Sequence, residues 1–552
     1  MKKLKLGSIA IALACAAPSF AGGLLTNTNQ NVAFNRMMSR EASIGIDGVY
    51  YNPAGVVFMG DGHHLSINWQ LAYQTRTIKN EYALFTNNVN NSTTPRDFKG
   101  EAFAPVIPSF QYAYNKGKWS FQANFALAGG GGKCTFDNGL GSFEKIVAET
   151  AMAACGLART VDNVLGNTLI QQGMLPAGQN MEMFTSDQAF GKTGKYSYNS
   201  YMHGRQYYYG LSVGAAYKFS DNFSAFAGVR GVYASTNYYG YVENINVGNM
   251  PLYKVLDPNK ENAANIELSC DQSGIGFTPI IGVDFKTGKW NFSAKYEFKT
   301  RIRLKNKSVN QAPSISALPD NLSRQMVGTL TEVFTKKGMT PENALATATN
   351  TTKAVLTNGD VVKTMAGLKT EFDTKLEEAI GEYADGKKIA GDIPAYLTLG
   401  AGYSPVDAVR INVGFHWFDD VNATSYNNRN KKLDHGTLEY NAGVEVDVCK
   451  KVTLSTGWQS TNYGLPTEDE ATESSKRYMD DKSFVTSSNS VAVGGVYHIN
   501  KKMDLNVAYF HTFYQHQKTT EPVQLSANTK INYSSDYTRN NNVFAVGLDI
   551  NF

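Results

Sequence analysis

From His64 onward the chain alternates apolar and polar residues with a period of two, in one segment after another, and the connections between segments are by turns very short and very long. In 64–76, Leu65, Ile67, Trp69, Leu71 and Tyr73 are interleaved with His64, Ser66, Asn68, Gln70 and Ala72. A period of two marks a strand that presents one face to an apolar medium. The pattern returns at 107–115, 118–128, 206–219, 222–240, 273–286, 289–302, 393–403, 408–418, 437–448, 451–462, 489–499, 502–514 and 541–552, fourteen segments in all. The number is even, and most segments are near the roughly 9–11 residues that a tilted strand needs to cross a bilayer.

Every second connection is a tight turn, as in Asn115-Lys116-Gly117-Lys118, Ser220-Asp221-Asn222, Lys286-Thr287-Gly288-Lys289, Ser404-Pro405-Val406-Asp407, Cys449-Lys450 and Asn500-Lys501. The others, about 77–106, 129–205, 241–272, 303–392, 419–436, 463–488 and 515–540, are long. Tight turns on one side and long loops on the other are the asymmetry of bacterial outer-membrane barrels, whose long loops lie outside the cell. The fold class that follows is all-β: a 14-stranded antiparallel transmembrane β-barrel with long, partly helical extracellular loops.

The faces of the segments agree. In 541–552, Phe544, Val546, Leu548, Ile550 and Phe552 share the lipid face, and Ala545, Gly547, Asp549 and Asn551 the lumen face. In 289–302 the lipid face reads Trp290, Phe292, Ala294, Tyr296, Phe298, and the lumen face Asn291, Ser293, Lys295, Glu297, Lys299, Arg301. A charge at the bilayer midplane costs about 2–4 kcal/mol on the lipid face, so confining charge to the lumen is what a membrane demands. Closing the sheet removes the edges that lipid would leave unpaired.

Composition bounds the rest. Aromatic residues make up 12% of the chain and mean hydropathy is −0.31. Beyond the first 21 residues no stretch offers the roughly 20 apolar residues of a spanning helix, so a helical membrane protein is excluded and a barrel is not. Residues 1–21 read as a secretory signal, with Lys2, Lys3 and Lys5 at the charged end, an apolar core from Ile9 to Ala17, and Ser19-Phe20-Ala21 as a small-residue cleavage site. Of the formal charge of +4, those three lysines carry +3 and leave +1, no footprint for nucleic acid.

Residues 22–60 have neither period and are rich in Gly, Asn and small residues. Yet they hold Phe34, Met37, Met38, Ile44, Ile46, Val49, Tyr50, Tyr51, Val56, Val57 and Phe58, too apolar a set for a tail that stays in water. We read 22–60 as a plug inside the barrel formed by 61–552. Fourteen strands lie between barrels filled by side chains and open porins. With a part-apolar plug there is no wide aqueous channel, and the cargo should be selected and apolar. Two loops carry helical spacing: Leu322, Met326, Leu330 and Val333, then Met365, Leu368, Phe372, Leu376 and Ile380, in 303–392, and Ile146–Leu157 in 129–205. Thr340-Pro341-Glu342 is a helix start. These helices either line a hydrophobic entry groove or pack on one another as a lid.

Candidate chemistry is sparse. Gly210-Leu211-Ser212-Val213-Gly214 matches GxSxG, but strand alternation runs straight through it, where a nucleophile elbow needs strand, sharp turn and helix. The eight histidines are scattered, and neither a metal nor a cofactor is called for. Arg230, Lys295, Lys299, Arg301 and Arg410 should face the lumen together with Glu297, Glu439 and Glu445. Each cation either holds a ligand carboxylate or pairs with its neighbours. Cys134 and Cys155 share a loop and are the candidate disulfide; Cys449, at a tight turn, should be free.

The layout resembles the FadL family of outer-membrane transporters for long-chain fatty acids and other hydrophobic compounds. The most specific residues are in the plug: Ala33-Phe34, then Ser43, Gly45, Ile46, Asp47, Gly48 and Tyr51-Asn52-Pro53-Ala54-Gly55, similar to that family's hatch with its Asn-Pro-Ala motif. Ile393-Pro394-Ala395 at a strand entry and the terminal Phe552 fit as well. The resemblance implies a monomer that captures ligand in an external groove, passes it to a site above the hatch, and opens a lateral exit near a kink in the third strand. That strand ends here in Ala128-Gly129-Gly130-Gly131-Gly132, not the family's Pro-Phe-Gly. The expected substrate-binding residues are Phe34, Met37, Met38, Arg230, Lys295, Lys299, Arg301 and Arg410; the expected gating residues are Asn52, Pro53, Ala54, Gly55, Gly129 and Gly130. The expected function is passive uptake of hydrophobic compounds, most of all long-chain fatty acids. The alternative is a surface adhesin or ligand-binding barrel whose plug never moves.

Overall fold

The computed structural model describes residues 26–467, 478–482, 484–526 and 529–552. The expected signal segment 1–21 lies outside them, as do residues 22–25 of the expected plug.

Fourteen antiparallel strands close into one barrel. They are β1 Gly62–Tyr82, β2 Arg96–Lys116, β3 Trp119–Phe136, β4 Tyr196–Lys218, β5 Phe223–Val247, β6 Ile266–Thr287, β7 in two pieces (Trp290–Glu297 and Arg303–Gln311), β8 in two pieces (Lys388–Ala390 and Tyr396–Val406), β9 Val409–Phe418, β10 Leu438–Cys449, β11 Val452–Asn462, β12 Ser488–Asn500, β13 in two pieces (Met503–Tyr514 and Gln517–Ser526), and β14 Thr529–Asn551. Closure comes from β1 against β14, paired from His64 opposite Asn551 to Tyr82 opposite Tyr533. Closure leaves the sheet without an edge strand, the condition for a sheet in lipid. Phe121, Leu211, Val213, Val493, Val507 and Phe544 stand half exposed on the outer face, while the alternate positions are buried inside. No helix among the described residues is long and apolar enough to cross a membrane. A closed barrel with this outer belt is a multi-pass barrel of the bacterial outer membrane.

The tight turns fall where the sequence puts them. Gly117 and Gly288 have φ of +61° and +55°, the left-handed conformation that two-residue hairpin turns require. On the other side the strands run well past the expected ends: β1 continues to Tyr82 and β3 to Phe136. The expected loop 515–540 is a hairpin, with Gln517 opposite Tyr537 and Gln524 opposite Lys530. Beyond the bilayer both faces of a strand can be polar, so the contrast that reveals the period fades while the ladder continues.

Three expectations are corrected. Between Glu297, opposite Ile280, and Lys305, opposite Ser273, β7 takes eight steps while β6 takes seven. The extra residue reverses the faces, as a one-residue slip must. Thr300 and Ile302 are therefore buried, Arg301 is exposed on the outer side, and Lys299 is half-exposed, its Nζ donating to the Asn422 carbonyl at 3.0 Å. Second, Cys134 and Cys155 are both free and buried. Cys134 is in β3 itself, paired with Gly204 of β4, whereas Cys155 lies on an extracellular helix and points its Sγ at the Phe190 carbonyl, 3.4 Å away. Third, the helix expected at Ile146–Leu157 spans 31 residues.

The extracellular side is capped by helices α3 Gly141–Gln171, α4 Tyr253–Leu256, α5 Leu318–Lys336, α6 Pro341–Leu356 and α7 Gly359–Ile380; two shorter helices, α1 Val32–Met37 and α2 Gly48–Tyr51, precede them in the chain. α6 begins as its sequence announces, with Pro341 in the first turn and the Thr340 hydroxyl accepting from the Asn343 amide. α5 buries Leu322, Met326, Leu330 and Phe334, a stripe of spacing four. These helices join α3 and the strand tips in one apolar core.

Candidate functional site

Residues 26–57 are buried almost without exception, inside the barrel. Local signals shape them. The Asn31 side chain caps α1 by accepting from the Ala33 amide at 2.7 Å, and Met38, at φ +60°, ends it. Gly55 closes the turn of Asn52-Pro53-Ala54-Gly55 by donating to Asn52 Oδ1 at 3.1 Å. So short a segment cannot bury its own backbone and charges, and it takes its partners from the wall.

Those partners are polar and numerous. Asn31 Nδ2 donates to Gln111 Oε1 at 2.9 Å. Arg36 pairs with Glu445 of β10, and Arg40 holds Asp47 with two bonds of 2.7 and 3.0 Å and reaches Glu445 at 3.2 Å. Glu41 and Glu439 lie on the two ring nitrogens of His416, each at 2.7 Å, and all three are fully buried. Asn52 Nδ2 donates to Asp284 at 2.6 Å, the Pro53 carbonyl accepts from Gln122 at 2.7 Å, and the Ala54 carbonyl accepts from Ser224 at 2.7 Å. Where the plug meets the wall backbone, the wall has glycine: a Cβ on Gly443 would lie 2.5 Å from Met37 Cγ, on Gly494 2.5 Å from Arg36 Cβ, and on Gly400 2.5 Å from Glu41 Cβ.

Three of the expected lumen cations, Arg230, Lys295 and Arg410, lie at this seat. Arg230 binds Glu297 through two bonds of 2.7 and 2.9 Å, and Lys295 binds Glu297 at 2.9 Å and the Tyr50 carbonyl at 2.7 Å. Lys295 Nζ also lies 4.1 Å from the Tyr50 ring centre. Arg410 sits at the turn end of β9, a third exposed, on Asp447 and Glu445. Phe34 stacks on Tyr51 at 5.2 Å. Met37 is pressed against Gly443 and Gly457, and Met38 joins an apolar cluster with Ala72, Ala104, Ile107, Leu127, Ala492, Phe510 and Val543.

That cluster borders a break in the wall. β2 and β3 pair from Lys116 opposite Trp119 to Phe110 opposite Phe125, and again at Ala102 opposite Cys134, but not between. Gly130, at φ +68°, and the register shifts of β3 against β4 at 127–132 bend β3 away from β2. The first described plug residues fill the break: Thr26 bridges Gly129, the Asn27 amide donates to the Ala128 carbonyl at 3.0 Å, and Asn27 Nδ2 donates to the Gly130 and Leu127 carbonyls at 2.6 and 3.3 Å. Sequence reasoning placed Gly129 and Gly130 at a kink but missed Thr26 and Asn27. The polar run Asn27-Thr28-Asn29-Gln30-Asn31 beside an apolar stretch was the available signal.

Outside, a cavity of about 100 Å³ opens among the capping helices, lined by residues including Ile146, Leu157, Ile245, Leu256, Leu318 and Phe372, and almost wholly apolar. The GxSxG segment 210–214 is unbroken strand, and Ser212 Oγ accepts from Arg230 Nε at 3.1 Å.

No family model and no curated protein matches the sequence. Solved structures do match the fold. A Pseudomonas aeruginosa FadL homologue superposes with a TM-score of 0.54 at 13% identity, over 96% of this chain and 100% of that one. The Pseudomonas putida toluene transporter TodX gives 0.46 at 13% identity, over 96% and 100%, and the Ralstonia pickettii toluene transporter TbuX 0.43 at 12%, over 92% and 94%. The chain has the fold of the FadL-type barrels.

Proposed function

We propose that this barrel takes up hydrophobic compounds passively across the outer membrane, with residues 22–60 as a movable gate. The carrying observation is the wall break between β2 and β3, where Thr26 and Asn27 bond to β3 and which is bordered by the apolar cluster around Met38. A barrel that only displayed loops would have no use for it. Cargo enters through the apolar cavity among α3, α5 and α7, reaches the lumen above Met38, and leaves sideways when the plug withdraws its first residues from β3. Asn52, Pro53, Ala54 and Gly55 anchor the far end of the gate; Gly129 and Gly130 form the sill. Met38 floors the path, while Phe34 and Met37 support it from within the plug. Arg230, Lys295 and Arg410 hold the plug and the turn-side rim, and neither Lys299 nor Arg301 faces the path. One chain closes the whole barrel, so a monomer suffices. The fold likeness to the Pseudomonas aeruginosa FadL homologue supports this reading.

The dense polar seat of the plug favours the second reading, a static plug under displayed loops. One experiment separates them. A Cβ on Gly402 would lie 3.4 Å from Ala42 Cβ, a spacing suited to a disulfide. Cells producing A42C/G402C should take up radiolabelled hexadecane or hexadecanoate only after reduction. Uptake that is equal in the oxidised and reduced states would establish a static plug.

A further inference from the structure

By reversing the faces of β7, the extra residue near Thr300 turns a run of cations toward the outside of the barrel. Arg301, Arg303, Lys305 and Lys307 take alternate positions and are all exposed, while Ile302, Leu304 and Asn306 between them are buried. Lys388 of β8 is exposed as well and is the Cα partner of Lys305. Like charges directly opposite each other on a sheet repel. From Arg301 to Lys307 the run extends roughly 20 Å, at about 3.3 Å per residue.

Three carboxylates adjoin the run, and each has a partner. Asp392 pairs with Arg303 at 2.8 Å. Asp271 of β6 stands opposite Lys307, and its Oδ1 accepts from Asn237 Nδ2 at 2.8 Å. Asp385 accepts from the Ser308 amide at 2.9 Å. Arg301, Lys305, Lys307 and Lys388 have no ion pair among the described residues. On β1, by contrast, the exposed Lys79 has Asp97 and Asp536 as its Cα partners.

The run begins where the lipid-facing belt ends. A Cβ on Gly276 of β6 would lie 2.9 Å from the Arg301 carbonyl oxygen, which sets Arg301 beside Ile275 and Phe277, 65% and 68% exposed. From Trp290 to Arg301 is roughly 36 Å along the strand, or about 28 Å along the barrel axis at a tilt near 40°, just past an apolar belt about 25 Å tall. Beside Lys305, Ser273 of β6 and its partner Ser235 of β5 present hydroxyls on the same face.

We propose that the outer face of β6, β7 and β8 binds a phosphorylated, multi-acyl glycolipid of the surrounding outer leaflet. Its phosphates meet Arg301, Lys305, Lys307 and Lys388, and its acyl chains lie on Ile275, Phe277 and Phe298. Arginine takes phosphate oxygens in bidentate fashion and lysine meets them as a point charge. A bound phosphate also cancels the repulsion between Lys305 and Lys388. The run rises roughly 15 Å along the axis, which suits a sugar head group that stands above the membrane with phosphates at more than one height. Ser235 and Ser273 are placed to bond the sugar. The site is on the outer wall and stands or falls apart from any movement of the plug.

The test is a native mass spectrometry titration of the full-length barrel in non-ionic detergent with EDTA, which removes divalent cations that bridge lipid phosphates to carboxylates. The probes are diphosphoryl lipid A, the same lipid with its phosphates removed, and inorganic phosphate. The wild-type protein should hold the phosphorylated lipid at least about tenfold more tightly than the dephosphorylated one, as a charge-assisted site requires. R301Q/K305Q/K307Q should remove that preference, R301K/K305R/K307R should keep most of it, and K79Q should bind like wild type. Inorganic phosphate at the same concentration should not displace the lipid, because it has no chains to lay on Ile275 and Phe277. Equal affinity of the wild-type protein for the two lipids overturns the proposal without recourse to any variant. So does triple-glutamine protein, folded by heat-modifiability on gels, that keeps the preference. An equal loss in K79Q would reduce the effect to net charge, and displacement by inorganic phosphate would make the site one for soluble anions; either result overturns the lipid assignment.

Discussion

Gly400 of β8 is the sharpest place to ask whether the plug is a separable part. A Cβ there would lie 2.5 Å from Glu41 Cβ, 2.8 Å from Glu41 C and 2.8 Å from the Ala42 amide nitrogen. Ordinary carbon contacts are about 3.5–4.0 Å, so in Gly400→Ala the plug backbone must retreat by about 1 Å. The wall cannot yield, because Gly400 is laddered to Ser293 on one side and Gly414 on the other. A retreat of that size takes Glu41 out of hydrogen-bond range of His416 Nε2, now 2.7 Å away. Overpacking of this kind costs about 1–3 kcal/mol, a factor of roughly 5–150 in the ratio of seated to displaced plug. The barrel itself should stay intact. Hydrogen exchange should show residues 32–42 losing protection by that factor while the β1–β14 seam keeps its own, and uptake of hydrophobic substrate should rise. Gly231→Ala is the control, since its Cβ would meet nothing nearer than 3.7 Å, at Phe277 on the outer face. Unchanged protection of 32–42 in Gly400→Ala would refute the claim that glycines make room for the plug. An equal loss in the β1–β14 seam would refute its separability.

Further predictions address the anchor, the sill and the entrance. Glu445→Gln leaves Arg36 and Arg40 buried without their shared carboxylate, and with Arg410 also deprived the plug should lose about 3–5 kcal/mol, read as early melting of its hydrogen-exchange protection; a protection profile like wild type would show that the arginines find other partners. Asn27→Ala removes two side-chain bonds to β3 carbonyls, about 1 kcal/mol each, and should admit a hydrophobic fluorescent dye faster into intact cells; an unchanged rate would mean that backbone pairing of Thr26 and Asn27 alone seals the break. Leu322→Asp puts a charge against the apolar cavity of the capping helices and should reduce uptake at low substrate concentration while the barrel's heat-modifiability is kept; full uptake would exclude that cavity as the entrance.

Much of this architecture is local and was legible in the residues. Alternation in 64–76 or 541–552 fixes a strand and its lipid face, because each residue there meets either hydrocarbon or lumen. Gly117 and Gly288 mark turns because their backbone angles exclude most side chains. Thr340-Pro341 starts a helix through bonds made within one turn. Even the burial of 26–57 could be inferred, since Phe34, Met37 and Tyr51 cannot rest in water. Other features arise only when distant segments meet. The reversal of faces in β7, which sends Arg301 outward, is a register difference between two strands, and neither strand carries it alone. Cys134 and Cys155 share a stretch of sequence yet belong to different elements. Alternation points Arg230 and Lys295 to the lumen without naming the partner of either. The folded strands decide it, placing Glu297 against both. Period and turn chemistry are properties of neighbours in the chain. Which cation meets which carboxylate depends on long-range register, and only the folded wall sets that.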